Sequence, residues 1–200
     1  MNKQELRYIY LSKRKKLSKE ECREKSLLIA NTFFNSIDIR TFSVVHLFLP
    51  IANHNEPDTF LLIDAIRQRS PETKILIPVT EPGTKLLKNV LLTKETILKV
   101  NKWGIPEPEH PEYTSLQPDL VVLPLLAFDK RGYRIGYGKG FYDRYLASLK
   151  VNPYKAGISF FQPVEIIEGI DPYDIPMDIC FCPKEVYRFD NKRSDDVMVY

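Results

Sequence analysis

The feature that most constrains the fold is the run at residues 119–126, which is apolar at every position after its first residue, Asp119. A strand with one face in water alternates apolar and polar residues, whereas a strand covered on both faces does not. Strands of the second kind belong to parallel sheets, whose crossover helices lie on either side. The run therefore predicts an α/β protein with a mostly parallel sheet.

The rest of the chain alternates between strand-like and helix-like segments. Short apolar runs predict further strands at residues 43–49, 74–79, 86–93, 154–160 and 179–189. Helices are predicted at residues 2–16, 18–34, 55–69 and 140–149, and residues 100–117 form a Pro-rich ordered loop. This order predicts a three-layer α/β/α fold, with one domain over residues 1–189 and a polar tail over residues 190–200.

Composition argues against several classes of protein. A net charge of +3 is too mild for bulk nucleic-acid binding, and no apolar run approaches the roughly 18 residues of a membrane span. The N-terminus lacks the apolar core of a signal peptide. Cys180 and Cys182 have neither zinc-site nor redox-motif spacing, so they indicate buried residues in a reducing compartment. We expect a cytoplasmic monomer with no membrane or nucleic-acid partner.

Glycine is concentrated in one segment, because four of the eight glycines lie within residues 129–144. Three of them alternate at Gly136, Gly138 and Gly140, which lets backbone N–H groups converge on an anion. The segment follows the buried strand and leads into a predicted helix, whose free N–H groups and dipole favour phosphate. The order of elements predicts a phosphate site here, since ligands bind beyond the carboxyl ends of parallel strands. By the same rule, the loop after residues 43–49 contributes to the site.

Charged side chains within this segment suit a nucleotide. Arg134 offers a planar fork for two oxygens, Lys139 offers a point charge, and Asp143 offers a carboxylate for Mg²⁺. The spacing matches neither the Walker A loop nor the dinucleotide-binding fingerprint. The alternative is a Gly-rich surface turn with solvated charges.

The same segment resembles the signature of the 5-formyltetrahydrofolate cyclo-ligase family, also called methenyltetrahydrofolate synthetases. That signature reads Phe-Asp-x-x-Gly-x-Arg-Leu-Gly-x-Gly-x-Gly-Tyr-Tyr-Asp, and it is present here from Phe128 to Asp143 with Ile135 and Phe141 as departures. The resemblance implies an enzyme that converts 5-formyltetrahydrofolate to 5,10-methenyltetrahydrofolate. It also implies that ATP is the co-substrate, giving ADP and phosphate, and that Mg²⁺ is the cofactor.

The resemblance further implies which residues form the site. Lys139 and Arg134 are catalytic, and Asp143 and Asp174 hold the metal. The residues that it assigns to ATP are Lys3, Arg7, Arg134, Ile135, Gly136, Tyr137, Gly138, Lys139, Gly140, Phe141 and Tyr142. The residues that it assigns to the folate are Ile51, Glu56, Asp58, Trp103, Tyr137, Gly138, Lys139, Gly140 and Phe141.

Several of these positions also have a structural interpretation. Lys3 and Arg7 lie one turn apart on a predicted helix. Together with Arg14 they form a basic stripe; alternatively, they belong to a helix face that is simply solvated. Carboxylates at residues 56 and 58 accept pairs of N–H donors from a pterin, or they cap a helix. Trp103, the only Trp, lines the folate site or anchors the Pro-rich loop.

Two other functions remain open from the sequence. The basic N-terminal helix, with four consecutive charges at residues 13–16, is compatible with a regulatory or nucleic-acid-binding module. No aromatic residues interleave those charges, which weakens that interpretation. A sugar-phosphate isomerase on a similar α/β scaffold is the alternative enzyme, and it would need no ATP.

Overall fold

The structure is a computed structural model that describes residues 1–81, 83–102 and 104–190. Within these ranges there are four α-helices and two short 3₁₀ turns, the latter at Ile39–Thr41 and Ala52–His54. The helices are α1 (Lys3–Lys15), α2 (Lys19–Ser36), α3 (Phe60–Arg69) and α4 (Phe141–Ser148). No helix in the described part of the chain is both long enough and apolar enough to cross a membrane.

The described ranges also contain twelve strands, most of them short. They are β1 (Val44–Leu47), β2 (Lys74–Thr80), β3 (Leu87–Leu91), β4 (Leu98–Val100), β5 (Pro106–Pro108), β6 (Tyr113–Thr114), β7 (Leu120–Pro124), β8 (Ala127–Phe128), β9 (Arg134–Ile135), β10 (Tyr154–Ile158), β11 (Ile179–Phe181) and β12 (Val186–Arg188).

Eight strands form one sheet in the order β12-β11-β10-β7-β1-β2-β3-β6. The five strands from β11 to β2 are parallel to one another, whereas β12, β3 and β6 pair antiparallel at the edges. Numbered along the chain, the parallel strands have the order 2-1-3-4-5. In such a sheet the connections leave in opposite directions from a switch point between the first and third strands, here β1 and β7. The mostly parallel sheet predicted from the sequence is therefore confirmed.

Strand β7 explains the apolar run from which the fold was predicted. Leu120 and Val122 belong to the cluster formed with α2 and α3, whereas Val121 and Leu123 belong to the cluster formed with α4. All four side chains are fully buried. Because successive residues of a strand point to opposite faces, burial of both sets requires helices on both sides. The three-layer α/β/α arrangement is thus observed.

Helix α1 packs outside these two clusters, against the segment that follows β7. Its buried residues Leu6 and Tyr10 contact a third cluster that includes Ala127 and Ile135 of the hairpin β8–β9. A capping box at Asn2 and Glu5 fixes the start of α1, and another at Ser18 and Glu21 fixes the start of α2. The position of α1 brings the basic N-terminal residues beside the Gly-rich segment.

The structure corrects three predicted elements. The helix predicted over residues 55–69 begins only at Phe60, because Asn55 has a left-handed φ of 48° and the Asp58 carboxylate accepts the Phe60 N–H. The Pro-rich loop contains β5 and β6; β5 pairs only with β4, and an edge strand tolerates Pro. The strand predicted over residues 179–189 is a hairpin of β11 and β12, which turns after Pro183.

Burial of one titratable group makes the stability of this fold depend on pH. His46 lies in β1, fully buried, and burial lowers its pKa to about 3. Unfolded histidine has a pKa of about 6.5, so the unfolded chain binds the additional proton between those two values. The neutral folded form therefore contributes stability above pH 6.5, and this contribution decreases as the pH falls.

We expect the free energy of unfolding to fall by about 2 kcal/mol between pH 7 and pH 5 through this group alone. Urea denaturation at several pH values measures the change, and His46→Gln should flatten the dependence by that amount. His110→Gln is the control, because His110 is exposed. An equal flattening in both variants would contradict the assignment to His46.

Candidate functional site

The segments that follow β1 and β7 meet beside the switch point of the sheet, and α1 joins them there. Three side chains make the junction, namely Glu56 after β1, Tyr137 in the Gly-rich segment and Arg14 near the end of α1. The carboxyl ends of β1 and β7 are where a parallel sheet of this order binds ligands. The junction therefore marks the candidate site.

Arg14 is the central member of the junction. Its side chain is only 3% exposed, and its guanidinium donates to the carbonyl oxygens of His54 at 3.0 Å and of Leu125 at 3.1 Å. It also contacts the Glu56 carboxylate at 3.3 Å and the Tyr137 hydroxyl at 2.5 Å. One buried cation thus connects α1 to both loops. The sequence pattern predicts only that Arg14 lies in a basic stripe on α1.

Glu56 is equally buried and has several donors. Its Oε1 accepts the Tyr137 hydroxyl at 2.7 Å, and its Oε2 accepts the Ile51 backbone N–H at 2.8 Å. Burial, followed by the negative charge of Glu56, raises the pKa of Tyr137 well above its usual value. Tyr137 therefore remains a neutral donor, and Glu56 retains room for a further hydrogen bond on a carboxylate that accepts about four.

The Gly-rich segment is shaped around Arg7. Nε of Arg7 donates to the Gly136 carbonyl at 2.9 Å, and the guanidinium lies against Gly138. Gly138 has a φ of +89°, and a Cβ there would lie 3.1 Å from Cζ of Arg7, so a side chain would strain the loop. Gly140, with a φ of +64°, caps α4 in the left-handed conformation. The backbone of the loop therefore continues directly into the first turn of α4.

The charged residues of the segment have different surroundings. Lys139 is exposed, and its ammonium has no ion-pair partner among the residues that the structure describes. Arg134 is engaged: its side chain is 5% exposed, donates to Asp143 Oδ1 at 2.8 Å and contacts the carbonyl of Ile175. Burial lowers the pKa of Arg134, and the Asp143 carboxylate opposes that shift. Lys139 is free to reach a ligand, whereas Arg134 holds the site together.

The two carboxylates assigned to the metal both neighbour Arg134. Asp143 bonds it directly, and the charge of Asp174 favours its protonated form. Asp174 also pairs with Lys3, whose ammonium contacts Asp171 at 3.1 Å. No cluster of three or more His, Cys, Asp or Glu side chains suited to a metal occurs within the described ranges. The donor set nonetheless fits Mg²⁺, because this ion is often held by one or two carboxylates together with substrate phosphates.

Asp58, Ile135 and Phe141, which are also assigned to the site, lie within the described ranges. The Asp58 carboxylate is exposed and accepts the Phe60 N–H at the start of α3, so it performs the capping role. Ile135 is 1% exposed and packs in the cluster beneath α1. Phe141 begins α4 beside the loop, and Trp103 lies outside the residues that the structure describes.

The sequence pattern does not predict a network of polar side chains that lies beneath α4. His46, Asn89, Tyr142 and Tyr145 are linked by hydrogen bonds between β1, β3 and α4. The available signal was a single polar residue, His46, inside an otherwise apolar strand. Such a residue requires buried partners, because an unpaired polar group costs roughly 1–3 kcal/mol in the interior.

A cavity of about 530 Å³ lies at the opposite end of the parallel strands, around Phe42, Pro118 and Pro153, which precede β1, β7 and β10. The carboxylates that line it are already occupied. Asp38 pairs with Arg40, and Asp119 accepts the backbone N–H groups that begin β1. The chemistry of the junction, rather than the size of this cavity, identifies the candidate site.

Comparison with known proteins points to one family. The sequence model of the 5-formyltetrahydrofolate cyclo-ligase family matches residues 1–183. The NMR structure of Aquifex aeolicus 5,10-methenyltetrahydrofolate synthetase is similar with a TM-score of 0.78 and 32% identity, covering 97% of this chain and 96% of that chain. The 5-formyltetrahydrofolate cyclo-ligase of Mus musculus is 28% identical over 175 residues, which are 81% of this chain and 84% of that protein.

A more similar but shorter alignment involves the 5-formyltetrahydrofolate cyclo-ligase of Mycoplasma genitalium. It is 45% identical over 65 residues, which are 32% of this chain and 38% of that protein. The chain therefore matches little more than a third of the length of this relative.

The junction itself yields a prediction about stability. Arg14→Met leaves a buried carboxylate without its cation, so we expect a loss of roughly 3–5 kcal/mol in the free energy of unfolding. The double variant Arg14→Met/Glu56→Gln should lose clearly less than the sum of the single variants, because it leaves no uncompensated buried charge.

Urea denaturation of the four proteins in the double-mutant cycle measures this coupling. The control is Arg40→Met, which removes an exposed ion pair to Asp38 and should change stability by less than about 1 kcal/mol. Simple additivity of the Arg14 and Glu56 variants would contradict a coupled junction.

Proposed function

The chain belongs to the 5-formyltetrahydrofolate cyclo-ligase family, and on that premise we propose that it converts 5-formyltetrahydrofolate to 5,10-methenyltetrahydrofolate while ATP gives ADP and phosphate. The family match over residues 1–183, which includes the entire Gly-rich segment, is the observation that carries the proposal. The meeting of that segment with Glu56 at the switch point supports it.

The chemistry requires activation of a poor leaving group. The formyl oxygen on N5 attacks the γ-phosphorus of ATP, and the bond to ADP breaks. The lone pair of N10 then attacks the formyl carbon and closes the ring. The carbon–oxygen bond breaks, phosphate leaves with the former formyl oxygen, and the N10 proton is released. The protein needs to supply position and charge rather than a covalent nucleophile.

Lys139 is the residue best placed to supply charge to the transferred phosphate. Its ammonium is exposed between two loop glycines, and the backbone of the loop turns there into the start of α4. Backbone N–H groups and a helix start stabilise phosphate oxygens without reorganisation. Arg134 is buried and contributes a positive charge to the site, and it also holds Asp143. Its role is therefore to position Asp143 as much as to contact the phosphate.

The remaining residues divide between the two substrates. Lys3 and Arg7 on α1, together with the segment from Arg134 to Tyr142, bind the ATP phosphates. Glu56, with Ile51 beside it, accepts N–H donors of the pterin, and Tyr137 and Phe141 offer flat rings to it. We also propose that Trp103 lines the folate, and that Asp58 acts there only indirectly because its carboxylate caps α3.

Mg²⁺ bound with ATP would be held by Asp143 and Asp174, and it would neutralise charge on the phosphates. In the structure each carboxylate pairs with a cation, Arg134 or Lys3, so it would bind the metal through an oxygen that the ion pair leaves free or releases. We propose Mg²⁺ as the cofactor on this donor chemistry.

The location, oligomeric state and partners of the enzyme are also part of the proposal. We propose a cytoplasmic monomer whose partners are 5-formyltetrahydrofolate and ATP, without nucleic acid or membrane. The helix does not offer a continuous exposed basic stripe, which disfavours a nucleic-acid role: Arg14 is buried, and Arg7 lies against the Gly-rich segment. Lys13 likewise lies over the ring of Tyr10.

Lys139 provides the first test. Lys139→Ala should lower kcat by about 100-fold or more at saturating ATP, which is the cost of losing one preorganised electrostatic group. Absorbance of the methenyl product measures the rate. Lys130→Ala is the matched control, since Lys130 lies in the same segment but pairs with Glu165 at the surface. Turnover close to the unmodified rate in Lys139→Ala would refute the role.

The metal assignment provides the second test. Asp143→Asn and Asp174→Asn should each raise the Mg²⁺ concentration that gives half-maximal rate, because each removes a charged oxygen ligand. Asp171→Asn is the control, because Asp171 also contacts Lys3 but is not assigned to the metal. An unchanged magnesium requirement in both test variants would remove these residues from the metal site.

A further inference from the structure

A chain of hydrogen bonds, buried in its centre and partly buried at both ends, runs from the edge of the sheet to the start of α4. Nδ2 of Asn89 donates to the carbonyl of Leu116 at 3.2 Å. Oδ1 of Asn89 lies 2.9 Å from the Tyr145 hydroxyl and 3.1 Å from Nδ1 of His46. Nε2 of His46 lies 3.4 Å from the hydroxyl of Tyr142, a longer contact.

The direction of every bond in this chain follows from its first member. The Leu116 carbonyl can only accept, so the amide of Asn89 must direct its NH₂ group there and its oxygen toward His46. That oxygen in turn can only accept. Tyr145 therefore donates its proton to Asn89, and Nδ1 of His46 carries a hydrogen that Asn89 and Tyr145 share.

His46 can carry no second hydrogen, because it is neutral. It is fully buried, and this burial lowers its pKa to about 3, so the imidazolium is absent at neutral pH. A neutral imidazole with a hydrogen on Nδ1 has a bare Nε2, which is an acceptor. The Tyr142 hydroxyl must therefore donate its proton to His46 Nε2.

Tyr142 stands at the border between this network and the candidate site. It lies in the first turn of α4, and His46 is the hydrogen-bond partner of its hydroxyl within the described residues. Its neighbours along the chain are Phe141 and Asp143, and Asp143 accepts a hydrogen bond from Arg134 in the candidate site. Tyr142 therefore belongs both to the network and to the segment that forms the site.

We propose that His46 is a positioning residue that fixes the Tyr142 hydroxyl as a hydrogen-bond acceptor, and that this oxygen receives an N–H group of the tetrahydrofolate. An oxygen whose proton is held by His46 presents only lone pairs, which repel phosphate oxygens and attract N–H donors. The backbone of Tyr142 can still bind ATP phosphate at the start of α4. The folate part of this inference rests on the proposed function, whereas the direction of the bonds does not.

Nuclear magnetic resonance of the unmodified protein, labelled with ¹⁵N-histidine, tests the direction of the bonds. Two-bond ¹⁵N–¹H spectra distinguish the two neutral tautomers, and His54→Gln and His110→Gln assign the signals of the three histidines. We expect His46 to show a protonated Nδ1 and a bare Nε2, unchanged from pH 5 to pH 9. A protonated Nε2 would overturn the inference.

Steady-state kinetics test the consequence for binding. Tyr142→Phe should raise KM for 5-formyltetrahydrofolate about fivefold to tenfold, the loss of one hydrogen bond, and leave KM for ATP within about twofold. Tyr145→Phe is the matched control on the same helix, because its hydroxyl donates into the network and away from the ligand. A rise in KM for ATP alone, or equal effects in both variants, would overturn the inference.

Two conservative substitutions separate positioning by His46 from general damage. Gln places an amide oxygen where Nε2 stands, whereas Asn reaches only the position of Nδ1. His46→Gln should therefore keep KM for the folate near its original value, and His46→Asn should raise it as Tyr142→Phe does. Equal values for the two would refute the positioning role. Absence of methenyl product from the unmodified enzyme would instead refute the proposed function. The tautomer of His46 would still test the direction of the hydrogen bonds.

Discussion

The arrangement of the site depends on one buried cation. Arg14 joins α1 to the loop after β1 through His54 and Glu56, and to the segment after β7 through Leu125 and Tyr137. A guanidinium is suited to this position because its planar fork can satisfy several acceptors at once and does not lose its charge. Without it, three segments that are distant in sequence would have no common polar partner. The two loops at the switch point are therefore fixed relative to each other before any ligand binds.

This fixed junction explains how a protein with few conventional catalytic groups can perform the proposed reaction. Phosphoryl transfer needs position and charge more than covalent chemistry, and a rigid loop provides both. The cations are divided accordingly: Arg7 and Arg134 are engaged with the loop and with Asp143, while Lys139 remains exposed. Arg7 and Arg134 are held in place and can bind a phosphate in a fixed position. Lys139 is free to move toward the phosphate and neutralise its charge.

The sequence predicted the layers well, and it also predicted that the Gly-rich segment leads into a helix, because both features depend on local patterns. The unbroken apolar run of β7 required helices on both faces, and alternating glycines before a helix indicated an anion site. Features that depend on distant partners could not be predicted. Burial of Arg14 depends on carbonyls and a carboxylate from residues 54, 56 and 125, and the network of His46 depends on Asn89 and on two tyrosines of α4. Their sequence separations give no periodic signal.

The most direct test of the account follows the formyl oxygen. The purified protein is supplied with ATP, Mg²⁺ and 5-formyltetrahydrofolate that carries ¹⁸O in its formyl group, and the phosphate and water are analysed by mass spectrometry after turnover. If the loop and Lys139 direct the formyl oxygen to the γ-phosphorus, the label will appear in phosphate, with one ADP formed for each methenyl product. Label in water, or product formed without ATP, would contradict the account.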